Sequence, residues 1–297
     1  MTIKKHCGHI AVVGRPNAGK STLLNAILEK KLVSTSKKAQ TTRHNILGIK
    51  TKDNVQAIYV DTPGYRDVTP GALHRYLNRS AVHAAYDVDL LLWIVDATRF
   101  TRDDEAVLAM LKKVNRPTIL VLNKIDEIKA KYDLLPIIQK MQAMHDFLEI
   151  VPISALNMIN IDDLEKTVAK YLPEHEFFYE DGQLTDRSES FLYAEMVREK
   201  IMRFLGGEVP YSVAVEIEQI VHEDNLIRVA ALLWVERDGQ KAIVIGDKGE
   251  KLKRIGTEAR MEMEQFSKKK VFLQLWVKVK EGWTEDDEML QSFGYES

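Results

Sequence analysis

Residues 14–21 decide the fold: they read Gly14-Arg15-Pro16-Asn17-Ala18-Gly19-Lys20-Ser21 and fit the pattern G-x-x-x-x-G-K-[ST]. The apolar residues 10–13 before them predict a short buried strand, and residues 22–28 after them predict an amphipathic helix. Two glycines let the backbone curl so that successive N–H groups and the helix N-terminus converge on an anion. The stretch therefore predicts a phosphate-binding loop, in which Lys20 reaches the β- and γ-phosphates and Ser21 binds Mg²⁺.

Composition limits the classes of protein to consider. The chain has 297 residues and is 45% apolar, which is enough for two ordinary cores. It has 42 basic and 44 acidic residues, so binding to nucleic acid or membrane must come from a local patch. The single cysteine, Cys7, excludes an internal disulfide and favours the cytosol. The longest apolar run, residues 90–95, is too short to cross a bilayer, so we expect a soluble or peripheral protein.

Strand and helix patterns alternate from residue 9 to about residue 172, which predicts a parallel sheet covered on both faces. The predicted strands are residues 10–13, 46–50, 57–61, 90–96, 118–122 and 150–154. Ligands of such sheets bind at the carboxyl ends of the strands. We therefore expect Asp61, Asn123 and Ser154 at the same edge as the phosphate loop.

The alternation of strand and helix patterns ends at residues 172–182, which are rich in Pro, acidic residues and Gly. We predict a first domain at 1–173, a linker at 174–187 and a second domain at 188–297. The second domain should contain a helix at 188–205 capped by Ser188, an antiparallel strand pair at 212–221 and 227–237, a helix at 250–267 and a strand at 271–279. Asp238-Gly239 predicts a hairpin turn. Residues 240–245 fit either a strand or a short helix, and the acidic tail after Gly282 fits a short helix or loose chain.

The stretch Asn123-Lys124-Ile125-Asp126 follows a predicted strand and indicates guanine recognition. The Asp126 carboxylate can accept hydrogen bonds from N1–H and the 2-amino group, the Lys124 stem can lie along the base, and Asn123 can serve O6 and N7. Adenine offers neither donor, so a buried and unpaired Asp126 would reject it. Ser154-Ala155-Leu156 can add a backbone N–H to the same base edge.

Two further segments predict contacts with Mg²⁺ and the γ-phosphate. In Asp61-Thr62-Pro63-Gly64 the carboxylate can hold Mg²⁺ through water and the Gly64 N–H can approach the phosphate, although D-x-x-G alone occurs at many strand ends. The polar loop 38–43 offers the Thr42 hydroxyl, which could complete the Mg²⁺ shell only while a γ-phosphate is present. The alternative for this loop is a solvated connection.

These motifs give the candidate residues of the first domain. Catalytic roles fall on Lys20, Thr42 and Gly64, and Mg²⁺ ligation on Ser21, Thr42 and Asp61. The predicted nucleotide-binding residues are Gly14, Arg15, Pro16, Asn17, Ala18, Gly19, Lys20, Ser21, Thr22, Asp61, Thr62, Pro63, Gly64, Tyr65, Asn123, Lys124, Ile125, Asp126, Ser154, Ala155 and Leu156.

The second domain carries a G-x-x-G loop, Gly246-Asp247-Lys248-Gly249, ahead of a basic helix. Two glycines let the backbone lie against a sugar-phosphate chain, and the helix adds positive potential. The alternative is a surface turn followed by a solvated helix, and Asp247 is an unusual residue beside a phosphate. The predicted RNA contacts are Ile245, Gly246, Asp247, Lys248, Gly249, Lys251, Lys253 and Arg254.

Together these stretches resemble the Era family of bacterial ribosome-assembly GTPases, in which a G domain precedes a type II KH domain. Further stretches of the resemblance are Gln40-Thr41-Thr42-Arg43-His44, Val209-Pro210-Tyr211 and Leu275-Trp276-Val277. It implies a P-loop GTPase domain with a mixed, mostly parallel sheet, then an α+β KH domain in which 240–245 is a short helix.

The resemblance also implies function. It implies GTP hydrolysis with Mg²⁺, binding of the 3′ end of 16S rRNA, and maturation of the 30S subunit. It further implies a cytoplasmic protein with peripheral association to the inner membrane, and we expect a monomer. Asn17 resembles the asparagine that coordinates K⁺ in related GTPases, and Tyr65 stands where Ras-like proteins place a glutamine that orients water.

Two other functions compete with this one. A P-loop kinase would need an acceptor pocket and a lid, and would not need a guanine-selective carboxylate. A related GTPase of tRNA modification would carry further catalytic domains, and no second catalytic constellation follows residue 180.

Overall fold

The computed structural model describes residues 4–35, 38, 42–66, 72–286 and 289. The chain divides into two compact units, of which the first ends at Asp186 and the main part of the second begins at Arg187. Residues 39–41 of the predicted Mg²⁺ loop and most of the acidic tail lie outside the described residues. The domain bounds drawn from sequence stay a prediction. Within the first unit, the segment preceding Asp186 lies against β2 (Ile46–Lys52), because the Ile49 N–H donates to the Leu184 carbonyl at 2.8 Å.

The first unit is built on a six-stranded sheet. Its remaining strands are β1 (His6–Val13), β3 (Val55–Asp61), β4 (Leu90–Asp96), β5 (Thr118–Asn123) and β6 (Glu149–Pro152). The spatial order is β2-β3-β1-β4-β5-β6, and only β2 runs antiparallel to its neighbour. This confirms the mixed, mostly parallel sheet that the family resemblance implies.

Five α-helices accompany this sheet among the described residues. They are α1 (Lys20–Leu28), α2 (Ala72–Tyr86), α3 (Arg102–Val114), α4 (Leu134–Gln142) and α5 (Ile161–Tyr171). Every residue of the central strand β4 is buried, which explains its unbroken apolar sequence up to Asp96. The core around Trp93 packs β1, β4 and β5 together, so their carboxyl ends lie at one edge.

The second unit is a three-stranded sheet with helices. Its elements are α6 (Glu189–Phe204), β7 (Ala214–His222), β8 (Leu226–Val235), α7 (Asp238–Ile245), α8 (Glu250–Ser267) and β9 (Lys270–Val279). Ser188 caps α6 as predicted, since its Oγ accepts from the Phe191 N–H at 3.3 Å. The strands β7 and β8 are antiparallel as predicted, whereas β8 and β9 are parallel.

The predicted hairpin turn at Asp238-Gly239 is wrong, because these residues begin α7. A parallel strand pair cannot be joined by a tight turn and needs a crossover connection. The helices α7 and α8 make that crossover between β8 and β9. Residues 240–245 are therefore helical. No helix among the described residues is both long and apolar enough to cross a membrane.

Candidate functional site

The phosphate loop needs its two glycines for space as well as for conformation. Gly19 has φ +104°, and a Cβ there would lie 2.2 Å from the Asn123 Nδ2 atom. A Cβ on Gly14 would lie 2.5 Å from the Ile94 carbonyl oxygen. The loop passes so close to the ends of β4 and β5 that neither position has room for a side chain.

Lys20 is buried inside this loop. Its ammonium donates to the carbonyl oxygens of Gly14 at 3.0 Å and Arg15 at 3.1 Å. Burial lowers the pKa of Lys20 to about 8, although the nearby Asp61 carboxylate opposes this effect. The side chain is thus held at the loop, where phosphate oxygens could replace the two carbonyls.

Three oxygen-bearing side chains meet beside Lys20, although they come from separate parts of the sequence. The Ser21 Oγ donates to the Asp61 Oδ2 at 2.8 Å, and the Thr42 Oγ1 donates to the same oxygen at 3.1 Å. The two hydroxyl oxygens are 2.9 Å apart. Hydroxyl and carboxylate oxygens are the hard ligands that Mg²⁺ takes in proteins, so this donor set fits the ion. Ser21 and the neighbouring Thr22 lie in the first turn of α1.

The segment after Asp61 is packed against the phosphate loop. Thr62 is buried and donates through its hydroxyl to the Val12 carbonyl at 2.8 Å, so it anchors the chain to β1. A Cβ on Gly64 would lie 2.7 Å from Pro16, so only glycine allows this approach. The Tyr65 N–H donates to the Gly14 carbonyl at 3.2 Å, and its side chain packs against the core.

Asn123 lies at the predicted edge but has protein partners that the sequence argument did not include. Its Nδ2 donates to the Ala18 carbonyl at 2.9 Å, and its Oδ1 accepts from the Ala155 N–H at 3.0 Å. One N–H donor therefore remains for a base, so Asn123 can serve O6 or N7 but not both. Its larger role is to tie the phosphate loop to the loop after β6.

The other base-site residues lie beside Asn123. The Lys124 ammonium donates to Asp96 at 2.7 Å, which fixes the end of the side chain. Asp126, in the short helical turn Ile125–Glu127, is exposed rather than buried, so a bound base must supply the desolvation that selects guanine. The Ala155 N–H is used by Asn123, which leaves the exposed Leu156 to offer a backbone N–H within the triplet.

In the second unit, the G-x-x-G loop joins α7 to α8 in a left-handed backbone. Gly246, Lys248 and Gly249 have φ values of +73°, +46° and +80°. Space is open around Gly249, whereas a Cβ on Gly246 would press on the Lys251 side chain at 2.7 Å. Asp247 and Lys248 are exposed at the tip of the loop.

A groove of about 380 Å³ begins at this loop and runs between α8 and β9. Of the predicted RNA contacts, it includes Gly249 and Lys253, whereas Arg254 instead stacks its guanidinium on Phe204 at 4.3 Å. The other lining residues are not predicted from the sequence; they are Leu252, Gly256, Thr257, Arg260, Leu273 and Leu275. Their spacing of three or four residues along α8, and of two along β9, was the available signal.

The fold and both sites define the chain as a P-loop GTPase followed by a KH domain. Family models agree: one described as a 50S ribosome-binding GTPase matches residues 9–124, and one described as a KH domain matches residues 208–284.

Curated relatives match nearly the whole chain. GTPase Era of Marinobacter nauticus is 55% identical over 98% of this chain and 95% of its own length. GTPase Era of Pseudomonas entomophila is 53% identical over 97% and 96%. The chain therefore belongs to the Era family of GTPases and is a GTP-hydrolysing enzyme.

Two solved structures share this fold with a TM-score of 0.94 each. One is a variant of Aquifex aeolicus Era bound to GDP·AlF₄⁻, at 41% identity over 98% of this chain and 100% of that one. The other is Era in complex with MgGDPNP and nucleotides 1506–1542 of 16S ribosomal RNA, at 40% identity over 99% and 100%.

Proposed function

We propose that this GTPase binds the 3′ region of 16S rRNA through its KH domain and acts in assembly of the small ribosomal subunit, with GTP hydrolysis as the switch. The observation that carries the proposal is the match over 99% of the chain to the Era complex with 16S rRNA nucleotides. The groove beside Gly249 supports it, since a loop without side chains at its glycines admits a sugar-phosphate backbone.

The nucleotide in this proposal is GTP or GDP with Mg²⁺. Ser21, Thr42 and Asp61 would hold the metal, which when bound neutralises charge on the phosphates. Lys20 exchanges its two carbonyl partners for phosphate oxygens. The close contact of Gly64 with Pro16 keeps its backbone N–H within reach of the phosphate loop.

Hydrolysis must proceed without a glutamine after Gly64. Tyr65 packs against the core and has no carboxamide that could orient the attacking water, so we expect slow turnover in the absence of a further charge. We propose that K⁺ supplies this charge with Asn17 as one of its ligands. Support comes from the exposed position of Asn17 in the phosphate loop and from its left-handed backbone, with φ +62°.

RNA binding is tested by reversing one charge at the loop tip. Lys248 is exposed and has a left-handed backbone, a conformation that aspartate tolerates better than most residues. We expect Lys248→Asp to weaken binding of a 16S rRNA 3′ oligonucleotide about tenfold, because a phosphate contact becomes a repulsion. GTP hydrolysis without RNA should be unchanged.

The matched control is Lys269→Asp, the same charge change at an exposed site beyond the other end of α8. It lies about 27 Å away along the helix, so it should leave RNA affinity within about twofold. Affinity is measured by fluorescence anisotropy at one fixed salt concentration. Equal losses in both variants would indicate non-specific attraction, and no loss in either would place the RNA site elsewhere.

The identity of the RNA needs a separate measurement. Crosslinking in cells, followed by sequencing of the RNA bound to the protein, should give reads concentrated at the 3′ end of 16S rRNA. Reads concentrated in tRNA would favour the tRNA-modification alternative. Binding to the 30S subunit, the monomeric state and a cytoplasmic location with peripheral inner-membrane association stay predictions from the family.

A further inference from the structure

A pair of buried carboxylates holds the arginine of the phosphate loop. The Arg15 side chain is only 5% exposed, and its guanidinium lies 3.2 Å from the Asp96 Oδ2 and 3.0 Å from the Asp104 Oδ2. Asp96 is the last residue of β4, and Asp104 lies in the first turn of α3. The guanidinium is thus committed to protein contacts, so Arg15 contributes to nucleotide binding through the shape of the loop.

Asp96 has a second cationic partner from the base site. The oxygen that contacts Arg15 also accepts from the Lys124 ammonium at 2.7 Å, and the other carboxylate oxygen accepts from the Thr98 N–H at 3.0 Å and hydroxyl at 2.6 Å. Burial opposes ionisation of Asp96, but the hydrogen bonds from Lys124 and Thr98 outweigh it and lower the pKa of the carboxyl. One buried anion therefore joins the phosphate loop to the guanine motif.

The sheet explains why this residue can reach both ends of the site. The strand β4 lies between β1, which leads into the phosphate loop, and β5, which leads into the base motif. Asp96 is paired in register with Asn123, the residue before Lys124. A carboxylate at the end of β4 is therefore equally placed for partners from both neighbours.

We propose that Asp96 is a positioning residue for guanine-nucleotide binding, which aligns the phosphate loop with the base site by holding Arg15 and Lys124 at one point. This alignment favours nucleotide affinity because the phosphate loop and the base site are already ordered before the nucleotide binds. Removing the Asp96 charge leaves Arg15 and Lys124 without their shared partner at a position that is 2% exposed. It also removes the longer contact of the exposed Arg99, whose Nε lies 3.9 Å from the same oxygen. This inference rests on the guanine-nucleotide function of the same site.

The first test compares two aspartate variants of the full-length protein. Asp96→Asn removes the shared charge, whereas the control Asp104→Asn breaks an ion pair of Arg15 and the Thr101 contacts at the start of α3 without touching Lys124. Binding of N-methylanthraniloyl-GDP with Mg²⁺ is measured beside the melting temperature of each nucleotide-free variant. We expect Asp96→Asn to weaken binding at least tenfold more than Asp104→Asn for a similar loss in melting temperature. Equal losses of affinity would reduce Asp96 to a structural residue and overturn the proposal.

The second test needs no change at Asp96 and decides the question if Asp96→Asn does not fold. Arg15 and Lys124 each contact Asp96, and no contact between the two is seen in the described part of the chain. If Asp96 couples them, Arg15→Gln combined with Lys124→Met should weaken GDP binding at least threefold less than the product of the single effects. If the loss of GDP affinity in the double variant equals the product of the two single losses, the proposal is overturned. A parent protein that fails to bind GDP would instead contradict the proposed function.

Discussion

Replacing Asn123 by alanine should destabilise the protein even without a nucleotide. The side chain is 3% exposed and joins two backbone groups, the Ala18 carbonyl at 2.9 Å and the Ala155 N–H at 3.0 Å. Leaving a buried polar group without a partner costs about 1–3 kcal/mol, so two such groups give about 2–6 kcal/mol. For a domain of this size, each kcal/mol lowers the melting temperature by about 2–4 °C. We expect Asn123→Ala to lower the nucleotide-free melting temperature by about 4–24 °C, measured by circular dichroism.

A second variant separates the two contacts. Asn123→Asp has nearly the same shape and can still accept from the Ala155 N–H, but its charged form repels the Ala18 carbonyl. Burial and this repulsion should raise the pKa of the introduced carboxyl above its unfolded value of about 3.9. A raised folded pKa means that the folded state binds the proton more tightly, so stability falls as pH rises from the unfolded pKa to the folded one. The melting temperature of Asn123→Asp should therefore be closer to that of the parent at pH 5 than at pH 8.

One result would refute this reasoning directly. If Asn123→Ala melts within about 2 °C of the parent without nucleotide, yet binds GDP far more weakly, the two protein contacts contribute little stability. Asn123 would then act mainly on the base, as the sequence alone suggests. Measurement of GDP affinity in parallel separates the two roles, because only the structural role lowers the melting temperature of the empty protein.

Three further predictions follow from the site and the groove. Asp126→Asn exchanges an acceptor for a donor, so it should bind xanthosine diphosphate better than GDP, whereas the neighbouring control Glu127→Gln should keep the parent preference in a competition assay. GTP hydrolysis should be faster in K⁺ than in Na⁺ at equal ionic strength. Asn17→Gly, which tolerates the left-handed backbone, should abolish that difference, and equal parent rates in both salts would remove the role of K⁺. Gly256→Leu should fill the groove, since its Cβ would lie 3.3 Å from Leu275, and lower RNA affinity about tenfold in anisotropy with the unstimulated GTPase rate unchanged.

Local patterns predicted most of the fold because strands such as β4 and β5 are apolar runs that end in a polar residue. Residues 90–96 were predicted with the bounds that the structure gives to β4. The error at Asp238-Gly239 has a physical cause, since Asp followed by Gly suits a tight turn and Asp also suits the first turn of a helix. Only the parallel pairing of β8 with β9 decides between them, and that pairing joins residues far apart in sequence.

The candidate site shows the same difference between local sequence patterns and contacts of residues far apart in sequence. Motifs identified the groups that would face a nucleotide, because their spacing reflects the chemistry of phosphate and guanine. No nucleotide-binding motif marks Asp96 or Asp104, and their ion-pair partners Arg15 and Lys124 come from other loops. The role of Asn123 was likewise hidden, since its partners lie 105 and 32 residues away. A short motif thus indicates which ligand is bound, whereas strand order determines which buried polar groups hold the motif in shape. Asp96 illustrates this, because the strand between the phosphate loop and the base motif is the one whose last side chain can contact both.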